Sequence, residues 1–146
     1  MSLLQQAITF RKAYDQPIEE AMTQPGGFIR MKLLNMQASL IEEETREFLD
    51  AVSDFKDKPS DKEHEVHIMK ELCDLIFVCY QFAAAYNLDV DTAMDRIFES
   101  NMSKLGDDGK PIYRADGKVL KGPNYRPPFL DDLVPLEPQQ YDTSSK

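Results

Sequence analysis

The stretch from Glu71 to Tyr86, ELCDLIFVCYQFAAAY, decides the fold. It predicts a single helix that is apolar on nearly every face, and a helix of this kind belongs in the interior of a helical protein. After Glu71 its one charged side chain is Asp74. The stretch therefore predicts an all-α fold, and it raises the question of why a carboxylate lies on its central helix.

Helical spacing of apolar residues predicts three further helices around this one. The first covers about residues 3–14 with Ser2 as its cap, and a long second helix covers about 28–55. The helix that contains the opening stretch covers about 62–86. The fourth starts at a cap formed by Asp89 or Asp91 and ends near residues 105–106. Pro25-Gly26-Gly27 and Pro59-Ser60 separate these elements.

After Gly106 the pattern changes from helical spacing to short strand-like pieces. Residues 112–114 and 118–120 flank Asp116-Gly117, and an Asp-Gly pair in this context favours a β-hairpin. We therefore expect a four-helix-type bundle with a short C-terminal β-hairpin and an extended tail. The expected segments are an N-terminal helix and loop (1–27), a helical core (28–105), a basic hairpin and strap (106–130) and an acidic, flexible tail (131–146).

Composition limits the classes of function. A chain of 146 residues with 42% hydrophobic content predicts one domain with a real core, and a net charge of -9 disfavours binding to polymeric nucleic acid. The longest strictly apolar run, residues 75–80, is too short to span a membrane. Cys73 and Cys79 lie six apart on one helix and cannot bridge each other. These features favour the cytoplasm, or the host cytoplasm for a phage-encoded chain.

Acidic side chains interrupt the apolar faces of the two central helices. Glu44 and Glu47 fall inside the apolar stripe of the long helix, with Glu43 at its edge, and Glu71 and Asp74 share one side of the next helix. Because helices joined by a short loop pack antiparallel, the two pairs should face each other. The stripe consists of Leu33, Leu34, Leu40, Ile41, Phe48, Ala51, Val52 and Phe55.

Ionised carboxylates in an interior need a positive partner, because their burial costs several kcal/mol. The neighbouring basic residues Arg46 and Lys70 are expected to point away, since they adjoin the acids in sequence. A hard divalent cation such as Mg²⁺ fits oxygen ligands better. The alternative is that the acids line a hydrated groove and bind nothing.

The segments Glu43-Glu44-Thr-Arg-Glu47-Phe and Glu71-Leu-Cys-Asp74-Leu-Ile-Phe carry a family likeness. Together they resemble the E-x-x-E…E-x-x-D signature of the all-α nucleoside triphosphate pyrophosphatases, especially single-domain MazG-like proteins of bacteria and phages. The resemblance implies cleavage of a nucleoside triphosphate to the monophosphate and pyrophosphate. It also implies dependence on Mg²⁺, with Mn²⁺ as an alternative ion.

The same resemblance implies roles for the acidic residues. Glu44, Glu47, Glu71 and Asp74 would hold the metal, and Glu43 would orient or deprotonate the attacking water, with Glu44 as the competing choice. Deoxynucleotides such as dCTP or dGTP are the expected substrates. The alternatives are a dUTP-specific enzyme, a phosphoribosyl-ATP pyrophosphohydrolase, and a non-catalytic helical partner protein stabilised by a cation.

Basic residues are concentrated in the segment from 104 to 126, which contains six of the 17 in the chain. This charge distribution indicates an anion clamp, although solvated hairpin lysines would look the same. Lys104 lies three residues after Asn101, so that the two can grip one phosphate group. The other candidates for substrate contact are Lys118, Lys121, Tyr125 and, more weakly, Arg30. Because the central helix is apolar all round, a partner chain should cover it, which predicts a homodimer or homotetramer.

Overall fold

The computed structural model describes residues 1–18 and 28–133, without the side chains of residues 28–30. Within these ranges the chain is all-α, as predicted. Its helices are α1 (Leu3–Ala13), α2 (Phe28–Asp57), α3 (Lys62–Ala85) and α4 (Val90–Met102), with a 3-10 turn at Asp131–Leu133. The expected loop at 25–27 and the tail from residue 134 onward lie outside the described residues. None of the helices described is long and apolar enough to cross a bilayer.

Polar side chains fix the starts of three helices. Ser2 forms a complete capping box with Gln5, because each side chain accepts a hydrogen bond from the other residue's backbone N–H. Asp61 caps α3 by accepting from the N–H of Glu63 at 2.9 Å. Of the two predicted caps for α4, Asp89 is the one used. The helix ends at Met102, a few residues earlier than the spacing predicts.

The described residues form two compact units, which divide between Leu88 and Asp89. In the first unit α3 packs against both α1 and α2. Only residues 58–61 connect α2 to α3, so these two helices run antiparallel, as predicted. The arrangement makes α3 the central helix of this unit and sets the acidic residues of α2 and α3 in a position to meet.

Two packed regions hold the first unit together. In one, Leu33 of α2 packs with Ala85 and Tyr86 at the end of α3. In the other, Arg11 of α1 is completely buried against α3. Its guanidinium donates to the carbonyl of Pro17 at 3.0 and 2.7 Å and to Oε1 of Gln81 at 3.3 Å. These hydrogen bonds compensate for the loss of hydration and fix the chain after α1.

The buried line along α2 is narrower than the predicted stripe. Leu33, Gln37 and Ala51 are nearly inaccessible, with exposed fractions of 4%, 1% and 1%. Leu40 is 36% exposed, so its assignment to the core is wrong. Because α3 is the main partner of α2 in this unit, we expect only a narrow line of residues along α2 to be covered. Leu40 lies at the edge of this line.

Within the part of the chain that the structure describes, one face of α3 is left uncovered, although the sequence suggests a helix enclosed on all sides. Exposed side chains recur on this face at spacings of three and four, which is one side of a helix. They are Val66, Met69, Leu72, Cys73 and Ile76.

In the second unit, the segment after α4 folds as turns. The predicted turn at Asp116-Gly117 forms, with Gly117 at a φ of +85°. Tyr113 and Val119 make an antiparallel bridge, and the amide of Leu120 donates to the carbonyl of Ile112 at 2.7 Å. Regular strands do not form on either side within the described residues. An isolated two-stranded ribbon is at best marginally stable in water, which explains why pairing stays minimal.

Candidate metal and phosphate site

Three glutamates converge where α2 and α3 meet. One carboxylate oxygen from each of Glu44, Glu47 and Glu71 lies within 4.8 Å of the others. Glu71 is 4% exposed, Glu44 is partly buried and Glu47 is exposed. The structure therefore brings together three of the four predicted metal ligands. Glu47, however, lies on the surface of the site and not in the interior that the sequence pattern suggests.

Two oxygens of this cluster have no hydrogen-bond partner among the described residues. They are Oε2 of Glu44 and Oε2 of Glu71, and both are buried. Buried polar atoms in folded proteins are almost always paired, so two orphaned carboxylate oxygens in one cluster need an explanation. Carboxylate oxygens are the ligands that hard divalent cations prefer. The cluster can bind a metal.

The electrostatics of the cluster differ between its two helices. The pKa of Glu44 is raised above its usual value, first by desolvation and then by the charges of Glu47, Asp74 and Glu71. The pKa of Glu71 is lowered, because the hydrogen bond from the Lys70 ammonium outweighs the desolvation. Repulsion at Glu44 is therefore left uncompensated, whereas Lys70 compensates Glu71.

Lys70 corrects one expectation from the sequence. Its Nζ lies 2.9 Å from Oε1 of Glu71 and 2.7 Å from Oδ2 of Asp74, so it does not point away from the acids. Lys70 precedes Asp74 by four residues, which puts the two on one face, and its long side chain also reaches the adjoining Glu71. Arg46 does stay outside the cluster, where it pairs with Glu42 at 3.3 Å.

His67 is a further neighbour that the sequence analysis did not assign. Its Nε2 lies 3.0 Å from Oε1 of Glu71, the oxygen that also contacts Lys70. In the sequence, the spacing of four residues between His67 and Glu71 already indicates that the two side chains share one face of the helix.

The other two acidic candidates take different positions. Asp74 is partly buried, bonds to Lys70 and acts electrostatically on Glu44, but it is not one of the three converging carboxylates. Glu43 is exposed and lines a groove on the outer surface of α2 together with Glu42, Arg46 and Glu47. Of the two candidates for activating water, Glu44 is therefore inside the cluster and Glu43 is beside it.

The predicted phosphate-contacting residues, except Arg30, belong to the second unit. Nζ of Lys104 donates to Oδ1 of Asn101 at 2.7 Å, so these two side chains do meet. Nζ of Lys121 lies 4.4 Å from the ring centre of Tyr125, within the range of a cation–π contact. Lys118 is exposed. The side chain of Arg30 lies outside the described part of the chain.

Backbone contacts join the end of α4 to this basic segment. The amide of Gly122 donates to the carbonyl of Lys104 at 2.8 Å, and the hydroxyl of Ser100 donates to the carbonyl of Arg126 at 2.8 Å. Asn101, Lys104, Lys121 and Tyr125 are therefore parts of one packed unit. The stability of this unit depends on the close approach of the backbone at Lys104 to the backbone at Gly122.

Comparison with known proteins gives one family. No curated protein matches the sequence. A family model described as phosphoribosyl-ATP pyrophosphohydrolase (PRA-PH) matches residues 9–101, well over half of the chain and all of the carboxylate cluster. The chain thus belongs to the phosphoribosyl-ATP pyrophosphohydrolase family, within the superfamily of MazG-like all-α nucleoside triphosphate pyrophosphatases, and is a nucleotide pyrophosphohydrolase.

Proposed function

We propose that this chain hydrolyses a nucleoside triphosphate, most favourably a deoxynucleotide such as dCTP or dGTP, to the monophosphate and pyrophosphate. Mg²⁺ is the proposed ion, with Mn²⁺ as a substitute. The observation that carries the proposal is the convergence of Glu44, Glu47 and Glu71, with two orphaned buried oxygens, in a chain of this family. Asp74, one turn beyond Glu71 on α3, is the proposed fourth ligand.

When bound, a divalent ion supplies charge neutralisation for the phosphates and acidifies a coordinated water. The protein's own contribution is to hold acidic groups from two helices at a fixed separation. Glu44 is the better candidate than Glu43 for taking a proton from water, because it lies in the cluster. Glu43 is solvent-exposed on the outer groove of α2.

Residues of the second unit are proposed to contact the anionic substrate. Asn101 and Lys104 present an amide and an ammonium side by side, and Lys118 and Lys121 add positive charge to a chain that is otherwise acidic. Tyr125 holds Lys121 close to its ring. These roles rest on chemical type and on the charge distribution.

Phosphoribosyl-ATP is the second candidate substrate, and the name of the matching family favours it. Like a deoxynucleoside triphosphate it contains a triphosphate, so the carboxylate cluster serves either. A dUTP-specific activity uses the same cluster. The discrimination between these substrates depends on base and sugar contacts.

A nucleotide panel with separate pyrophosphate and phosphate readouts tests the proposal. The panel contains the deoxynucleoside triphosphates, including dUTP, and phosphoribosyl-ATP, each with Mg²⁺ and with EDTA. We expect pyrophosphate only when the divalent ion is present, and faster release from dCTP or dGTP than from phosphoribosyl-ATP. If Mg²⁺ raises the melting temperature but no nucleotide releases pyrophosphate, the cation-stabilised partner protein is the correct alternative.

We also propose that the chain forms a homodimer or a homotetramer through the uncovered face of α3. Val66 and Met69 are 56% and 64% exposed there, and apolar side chains grouped on one helix face favour association. Light scattering at micromolar concentration should give at least a dimer. Met69→Glu should then dissociate it, while Met94→Glu, at another exposed methionine, should not. A monomeric unmodified chain would refute the assembly.

A further inference from the structure

Lys70 occupies a position inside the carboxylate cluster that the proposed reaction does not explain. Its ammonium bonds to Glu71 at 2.9 Å and to Asp74 at 2.7 Å. It is the one lysine or arginine side chain within salt-bridge distance of any of the four proposed ligands in the described part of the chain. The site therefore already holds one positive charge.

The positive charge of Lys70 compensates only part of the negative charge of the cluster. Lys70 contacts the two acids of α3 and bonds to neither Glu44 nor Glu47 of α2. Oε2 of Glu44 and Oε2 of Glu71 remain without a partner even though Lys70 is present. A divalent cation that binds these oxygens would carry twice the charge of Lys70 and would compete with it for the same carboxylates.

The side chain of Lys70 can move away from Glu71 and Asp74. It is 61% exposed, so its ammonium can regain a hydration shell when it leaves Glu71 and Asp74. Lysine holds carboxylates as a point charge on a flexible stem, without the rigid two-point geometry of arginine. Its pair with Asp74 is exposed on both sides, so that contact costs little to release, and a bound divalent cation would replace the charge that the buried Glu71 loses.

We propose that Lys70 is a resident counter-cation that stabilises the metal-free cluster and must leave Glu71 and Asp74 when a divalent cation binds. It thereby lowers the affinity of the site for metal. This inference rests on the proposed function, since it takes the same cluster as the metal site. It assigns Lys70 a positioning role that neither the family match nor the acidic signature contains.

Metal titration of Lys70→Met tests the competition. Isothermal calorimetry with MgCl₂ alone should show binding roughly fivefold tighter than in the unmodified chain, because the competing ammonium is gone. Without metal the variant should melt at a lower temperature, and saturating Mg²⁺ should narrow the difference. Arg46→Met is the matched control, because it removes the same charge from a pair outside the cluster. It should leave the Mg²⁺ affinity unchanged.

A second measurement uses the unmodified chain and follows Lys70 directly. Acetylation of its amine by acetic anhydride, read by peptide mass spectrometry, should become faster when Mg²⁺ is added, because the released ammonium loses two hydrogen bonds. Lys12, which is exposed and makes no side-chain bond in the described structure, is the internal standard. Its rate should not change.

The outcomes separate the two proposals. If the unmodified chain binds Mg²⁺ but Lys70→Met binds it equally or more weakly, or Lys70 acetylation does not accelerate, the counter-cation role is overturned and the metal site stands. If neither protein binds Mg²⁺ or Mn²⁺ at millimolar concentration, both proposals are wrong.

Discussion

Glu44→Gln is expected to lower pyrophosphate release by at least about 100-fold without unfolding the protein. The substitution keeps the size of the side chain and removes the charge that the proposed metal requires. Glu44 is the α2 carboxylate with a buried, unpartnered oxygen, so its loss removes a ligand that the other side chains cannot replace. Initial rates of pyrophosphate release from dCTP or dGTP at saturating Mg²⁺ measure the effect.

The same substitution should leave the metal-free protein as stable as before, or more stable. The pKa of Glu44 is raised in the folded state, which means that its charged form opposes folding above that pKa. Glutamine mimics the protonated form and relieves the repulsion from Glu47 and Asp74. The advantage of the variant in melting temperature should shrink as the pH falls through the raised pKa, because the unmodified Glu44 then takes up a proton.

Glu42→Gln is the matched control for this prediction. Glu42 is on the same helix, is exposed, and bonds to Arg46 outside the cluster. Its loss should change the rate by no more than about twofold, as for an ordinary surface residue. If Glu44→Gln retained the rate of this control, the cluster would not be the catalytic site.

Gly122→Ala is expected to destabilise the second unit by about 2–3 kcal/mol. A β-carbon at this position would lie 2.5 Å from the carbonyl oxygen of Leu105 and 2.6 Å from that of Lys104. Backbone atoms cannot rotate away, so the hydrogen bond from the Gly122 amide to Lys104 would have to break. Urea unfolding measures the loss, and hydrogen exchange at the Gly122 amide locates it.

Gly106→Ala provides the comparison for a glycine with adjustable neighbours. Its β-carbon would meet the side chain of Asp108 at 3.0 Å, and a flexible side chain can move. We expect a loss in the free energy of unfolding well below that of Gly122→Ala. Equal losses in the free energy of unfolding from both substitutions would contradict the prediction that the backbone contacts of Gly122 leave no room for a β-carbon.

The helices and their order follow from the sequence because periodicity and capping are local. The helix that contains the opening stretch was expected over about 62–86 and forms at Lys62–Ala85, with Asp61 as its cap. The convergence of Glu44, Glu47 and Glu71 also follows, since two helices joined by four residues pack antiparallel and their acidic residues lie near the same level. The Asp116-Gly117 turn is predicted for the same local reason.

Features that depend on side-chain reach or on tertiary partners were not predicted. Lys70 turns toward the acids because its stem is flexible, which helical spacing does not describe. Arg11 and Gln37 are buried although both are polar, and Arg11 is held against Gln81 of α3. Leu40 remains partly exposed because the contact line along α2 is narrower than an apolar pattern implies.

Every proposed metal ligand lies on a single antiparallel helix pair, α2 and α3, joined by residues 58–61. Contacts so near in sequence form quickly and need little help from distant segments. The proposed metal site therefore depends on one continuous segment of the chain. Substitutions before or after this segment can change the contacts with a nucleotide while the proposed ligands stay the same.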